Sequence, residues 1–144
     1  MVVEPKDILE LEVYADFLAD RVKKLGDLLG EEVHPEKVLK AIRKYIGIRE
    51  FGIFFVSKEE GKPKGFLVLV QTENLYEEKE CLVWLMWMDA GAPTKELEEV
   101  MIEWCDSRGI KKVYATNMTF TKAKRRWLQR HGFSFFVESY RRVL

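Results

Sequence analysis

The sequence is short of the residues that build disulfide and metal frameworks. Its 144 residues include two cysteines and two histidines. Cys81 opens an apolar run and Cys105 lies on the apolar face of an expected helix. Both read as buried free thiols of a reducing compartment, not as a disulfide or a metal pair. His34 and His131 are far apart, and neither has a second His or a Cys at ligand spacing, so no metal site is expected. Asparagine and glutamine number two each while lysine and glutamate abound, a bias found in thermophilic proteins. No apolar run approaches the ~20 residues that span a bilayer. No apolar stretch near the N-terminus follows basic residues, so no secretory signal is expected and the location reads as cytoplasmic.

What is present describes an ordinary soluble domain. Apolar residues make up 47% and charged residues 33% of the chain, and the length suits one domain over residues 1–144. No internal repeat or linker interrupts it. Net charge is zero but unevenly spread: residues 1–110 carry 15 Lys/Arg against 23 Asp/Glu, and residues 111–144 carry 9 against 1. That asymmetry points to an anionic partner for the C-terminal third. A nucleic acid would satisfy it, but no recognisable binding motif accompanies the charge.

The chain is organised around Cys81–Met88, the Asp89–Thr94 loop and the helix running on to Arg108. Cys81-Leu82-Val83-Trp84-Leu85-Met86-Trp87-Met88 shows no polar alternation, the pattern of a strand buried on both faces. Leu97, Val100, Met101, Trp104 and Cys105 then trace one face of an amphipathic helix. A strand, a short loop and a helix start together place free N–H groups at the carboxyl end of a central strand, where α/β proteins bind anions. An ordinary buried strand–helix unit with no ligand fits this stretch equally well.

Before that unit, Val2-Val3-Glu4 reads as a short edge strand. Asp7 with Glu10 forms a capping box for a helix whose stripe is Ile8, Leu11, Ala15, Leu18, Val22 and Leu25, closed at Gly26 or Gly30. His34-Pro35 starts a second helix, faced by Val38, Leu39, Ile42, Tyr45 and Ile46 and stopped at Gly47. Phe51–Val56 and Gly65–Val70 read as strands joined by a polar hairpin loop, Ser57 to Lys64, and residues 73–80 form a second, acidic connection. After the central helix come a strand from Ile110 to Ala115, a short basic helix from Thr121 or Lys122 to Arg130, and a last strand from Phe133 to Leu144. The order predicts an α/β fold: a mixed, twisted sheet with helices on both faces.

In this order of elements the chain resembles the GNAT acetyltransferase superfamily, over nearly its whole length. The local matches are the hairpin whose second strand opens with Gly65-Phe66, the stretch WCDSRGIKKV from Trp104 to Val113, and WLQRHGF from Trp127 to Phe133. The resemblance implies acetyl-CoA as co-substrate and an amine as acceptor. It implies that pantetheine amides pair with the backbone of Met86 and Met88, and that N–H groups around Gly91, Thr94 and Lys95 hold the pyrophosphate. Asn117 corresponds to an asparagine that touches the pantetheine arm. The helix of Lys122, Lys124, Arg125, Arg126 and Arg130 around Trp127 lies beside the cofactor, so that one or two of these, Lys124 first, meet the 3′-phosphate. A loop-capping role for Asn117 and a solvated surface for Lys124 are the plainer readings.

The diagnostic motif, Gln/Arg-x-x-Gly-x-Gly/Ala, is degenerate. Asp89 stands at the Gln/Arg position, Ala92 at the first glycine and Thr94 at the last. Pro93 has no N–H to donate, and Asp89 adds a like charge worth roughly 1–4 kcal/mol within ~4 Å of a phosphate. Leu128 stands where the family often places a proton-donating tyrosine. Tyr114, Tyr140, Glu50 and Glu73 are the remaining proton-transfer candidates, none with an assigned place. Two classes therefore stay open: an N-acyltransferase acting on an unknown amine, and a catalytically inactive relative kept as a binding or interaction module. A monomer or homodimer is expected, the dimer favoured by the apolar bulk of Trp84 and Trp87.

Overall fold

A computed structural model of the chain describes residues 1–30, 32–115, 126 and 130. Its strands are β1 (Val2–Val3), β2 (Phe51–Glu59), β3 (Lys62–Glu73), β4 (Lys79–Met88) and β5 (Val113–Ala115), and its helices α1 (Ile8–Glu12), α2 (Ala15–Leu29), α3 (Pro35–Tyr45) and α4 (Thr94–Asp106). The strands form one sheet in chain order. All neighbours are antiparallel except β4 and β5, which run parallel. The expected mixed sheet with helices on both faces is what the chain forms.

Each face of the sheet carries its own core. Leu97, Met101, Trp104 and Cys105 of α4 are buried against Phe54, Val56, Leu67, Leu69, Cys81, Val83 and Met86. On the other face Leu11, Leu18, Val22, Leu39 and Ile42 pack on Ile53, Phe55, Phe66, Val68 and Leu85. The uninterrupted apolar run of β4 serves both, and the helical stripe of α4 lies where its periodicity placed it. Cys81 and Cys105 are both buried and free.

The first expected helix is two. Asp7 caps α1 by accepting the Glu10 N–H at 2.8 Å, while the Glu10 carboxylate takes the Lys6 N–H at 2.8 Å, one residue before the usual box partner. A turn at Val13-Tyr14 follows, and Leu11, Ala15, Leu18 and Val22 stay buried through it, whereas Ile8 is 49% exposed. α2 runs through Gly26 and ends at Gly30, whose φ of 66° is the left-handed C-cap. α3 begins after an exposed His34, as expected.

The hairpin loop expected over Ser57 to Lys64 is a two-residue turn at Glu60-Gly61, with Glu59 opposite Lys62. Glu59 and Lys62 form the exposed last rung, which backbone pairing carries without burial, while Ser57 before it is buried. The register there slips twice: Val56 faces Gly65, Ser57 faces Pro63 and Glu59 faces Lys62, leaving Lys64 and Lys58 as the extra residues.

Gly52 on β2 is required by packing. A Cβ there would lie 2.7 Å from Nε1 of the buried Trp104 ring, which the Arg108 guanidinium also contacts 4.0 Å from the ring centre. Gly52→Ala is therefore expected to destabilise the fold by about 1–3 kcal/mol. Chemical denaturation of both proteins checks this, and an unchanged midpoint would show that the indole can shift.

Candidate functional site

The site begins with the phase of one strand. Cys81 donates its N–H to the Lys112 carbonyl, on the β5 side of β4, at 3.0 Å; Asp89 donates to the Lys64 carbonyl, on the β3 side, at 2.7 Å. They are eight positions apart, so a regular strand would point both amides the same way. They point oppositely because Val68 faces Leu85 while Leu69 faces Val83, which leaves Trp84 as an extra residue in β4. The side chains register the same shift. Cys81, Val83, Met86 and Met88 pack on the α4 face, and Trp84, Leu85 and Trp87 on the other.

Two consequences meet at this bulge. β5 pairs β4 only over Cys81–Val83, so among the described residues the β5-side edge of β4 is open from Trp84 onward. By alternation from Asp89, the N–H groups of Met88 and Met86 face that open edge. Both residues named from the sequence are thus main-chain donors on a free edge, the Met86 side chain being buried beneath α4.

The loop after β4 is a turn. Ala92 N–H donates to the Asp89 carbonyl at 3.1 Å, and Gly91 adopts a φ of 79°. α4 starts at Thr94 with Pro93 as N-cap and no side-chain cap. Among the described residues the N–H groups of Gly91, Thr94 and Lys95 have no hydrogen-bond acceptor, while Ala92 is committed and Pro93 has none to give. Lys58 reaches this turn: its Nζ lies 3.4 Å from the place a Cβ on Gly91 would occupy. The edge and turn together offer main-chain donors along one strand and at one helix start.

Asp89 does not stand as a bare charge. Arg21 of α2 grips it with two bonds, Nε to Oδ1 at 3.0 Å and a terminal nitrogen to Oδ2 at 2.8 Å, and Trp87 Nε1 donates to Oδ1 at 2.8 Å. Both charged side chains are about four-fifths buried, at 21% exposure. The guanidinium holds the Asp89 carboxyl below the usual carboxylate range against the opposing effect of burial, with help from Trp87 and the Lys64 charge. The uncancelled like charge read from the sequence is therefore corrected: the carboxylate is paired.

Arg21, Trp87, Lys58 and Lys64 were not legible as site residues. Arg21 is 68 positions from Asp89, and nothing local marks it. The two lysines look like solvated hairpin residues until the bulges aim them. Asn117 and Lys124 lie outside the described residues, as do Leu128 and Tyr140; Arg126 and Arg130 are helical and exposed. Tyr114 is on β5 opposite Leu82. Glu73 pairs with Lys79 at the far end of β4, and Glu50 adjoins Phe51 at that same end. The seven steps from Lys79 to Met86 span roughly 23 Å and the five from Cys81, level with Glu50, roughly 16 Å, so neither glutamate reaches the open edge as a base. Trp84 and Trp87 pack against the helical core of their own chain, which removes the ground for favouring a dimer. Among the described residues no three His, Cys, Asp or Glu side chains group as metal ligands, and no helix is long and apolar enough to cross a membrane.

The fold is that of solved GNAT-type acetyltransferases. A predicted acetyltransferase from Clostridium acetobutylicum, solved with acetyl-CoA, superposes with a TM-score of 0.73 at 10% identity over 99% of this chain and 96% of its own. A ribosomal-protein-alanine N-acetyltransferase from Brucella melitensis biovar Abortus 2308 gives 0.71 at 10% identity over 100% and 99%. No family model matches the sequence, and no curated protein matches it.

Proposed function

We propose that this chain is an N-acetyltransferase, one domain over residues 1–144, that moves an acetyl group from acetyl-CoA to an amine in the cytoplasm, as a monomer or homodimer. The observation that carries the reading is the reversal at Trp84, which turns the Met86 and Met88 amides onto an open strand edge leading to an uncapped helix. Pantetheine amides pair along that edge. The pyrophosphate sits at Gly91, Thr94 and Lys95 with Lys58 beside it, and Asn117 and Lys124 contact the arm and the 3′-phosphate. The fold neighbour solved with acetyl-CoA supports this choice of donor.

The chemistry asked of the protein is modest. The amine nitrogen attacks the thioester carbonyl, a C–N bond forms, the C–S bond breaks, and the thiolate takes up the proton the amine loses. An acyl donor fixed along the open edge makes the encounter effectively intramolecular. Leu128 at the tyrosine position favours a second reading, a module that binds acetyl-CoA without turnover.

Calorimetric titration with acetyl-CoA, CoA and ATP tests the reading. Acetyl-CoA and CoA are expected to bind, ATP more weakly, and Thr94→Glu to abolish binding by placing a carboxylate at the helix start. No heat with acetyl-CoA at millimolar concentration rejects the donor site, and equal binding of ATP reduces it to a general anion patch. Acetyl-CoA binding with no thiol released across a panel of amines would select the non-catalytic module.

A further inference from the structure

Asp89 stands where the resembled family carries Gln or Arg, and an unpaired carboxylate there would repel phosphate. The structure contains the answer to that repulsion in a different helix. Arg21 projects from α2 and meets both Asp89 oxygens, at 3.0 and 2.8 Å, while Trp87 fixes the carboxylate from the strand side at 2.8 Å. The Phe17 ring, 4.4 Å from the guanidinium, supports it from its own helix. Arg21 also touches Asp20, but that carboxylate has a second cation of its own, Lys24 at 3.3 Å. Charge around the pair therefore sums to zero. Glu96, the acid in the first turn of α4, is paired with the Met1 amine. Lys58 and Lys95 are left with no carboxylate partner among the described residues.

We propose that Arg21 is a positioning residue that makes the Asp89 loop receptive to phosphate, cancelling the carboxylate so that Lys58 and Lys95 face the ligand unopposed. The inference rests on the acyl-donor reading and deepens it. The phosphate end of the donor is held in this chain by side-chain charge arranged across α2, the β2–β3 hairpin and the first turn of α4, where glycine N–H groups are missing. Arg21 does this without touching the ligand.

The charge mechanism has a signature that a merely structural salt bridge lacks, namely rescue by removing the other partner. Acetyl-CoA affinity is measured by calorimetry for the unchanged protein, Arg21→Met, Asp89→Asn and the double variant, with melting curves for each. Arg21→Met is expected to weaken binding roughly tenfold, since it exposes a carboxylate to the phosphates. Asp89→Asn alone, which keeps an acceptor for Trp87 and leaves Arg21 in excess, is expected to tighten binding about threefold or more. The double variant should return to within about threefold of the unchanged protein. Should Arg21→Met fail to fold, the sign of the Asp89→Asn change still decides, because a structural role predicts weakening. Equal binding by the unchanged protein and Arg21→Met, or a double variant as weak as Arg21→Met, overturns this inference and leaves the acyl-donor reading intact. No binding by the unchanged protein overturns both.

Discussion

Replacing Phe66 by alanine is expected to cost the fold about 3–5 kcal/mol, the range for removing a fully buried aromatic ring. Phe66 is 0% exposed on the central antiparallel strand β3. Its ring meets Phe17 of α2 edge-on at 6.5 Å and tilts against Phe55 of β2 at 6.3 Å. One side chain thus joins the sheet to the helix that carries Arg21, and its loss leaves a cavity that three separate elements would have to close. Rings that meet edge to face add a contribution beyond buried area, so Phe66→Leu should recover only part of the loss. Urea unfolding followed by tryptophan fluorescence and circular dichroism measures both variants. A cost below about 1 kcal/mol for Phe66→Ala would mean that α2 is not packed on β3 as described.

Those parts of the fold that rest on periodicity could be read from the chain. The α4 face is a stripe of large apolar residues, and β4 is a run without polar breaks; both patterns are imposed by burial, and burial is what sequence records. The break between α1 and α2 left no trace because Leu11 and Ala15 keep the stripe in phase across the turn. The end of the β2–β3 hairpin was misread for the opposite reason. Glu59 and Lys62 are paired across an exposed ribbon, where pairing asks nothing of side-chain polarity, and Ser57 is a polar residue that is itself buried.

The site divides along the same line. Met86, Met88, Gly91, Thr94 and Lys95 are consecutive in one strand–loop–helix unit, so a resemblance over that unit could name them. Arg21 could not be named, because its link to Asp89 exists only after α2 has folded across the end of β4. A signal was nonetheless present: a carboxylate at the mouth of an anion loop calls for a cation, and the sequence says that one is needed without saying where. The Trp84 bulge is likewise invisible in composition, since a run apolar on both faces hides a change of phase.

The phase itself can be tested one residue at a time. Proline at position 87 and proline at position 88 are expected to fail in different ways. Asp89 donates across to Lys64 at 2.7 Å, so Trp87 donates across to β3 as well and Met88 donates outward. Trp87→Pro removes a ladder donor, leaves a buried carbonyl on β3 without a partner and deletes the indole that holds Asp89. These losses together cost about 3 kcal/mol or more, and Trp87→Phe, which loses the Asp89 bond and part of the ring packed on the core, should cost about 1–2 kcal/mol. Met88→Pro leaves the β3 ladder whole, because proline is accepted where its missing N–H faces away from the sheet. Its stability should change by less than about 1 kcal/mol, while acetyl-CoA binding weakens about tenfold through the lost donor and a ring projecting into the open edge. Met88→Leu, with its N–H intact, should bind as the unchanged protein does. Melting curves and calorimetric titration of the four variants separate the effects. If Met88→Pro unfolds while Trp87→Pro stays folded and binds, the strand has the opposite phase and the open edge is not where the donor lies.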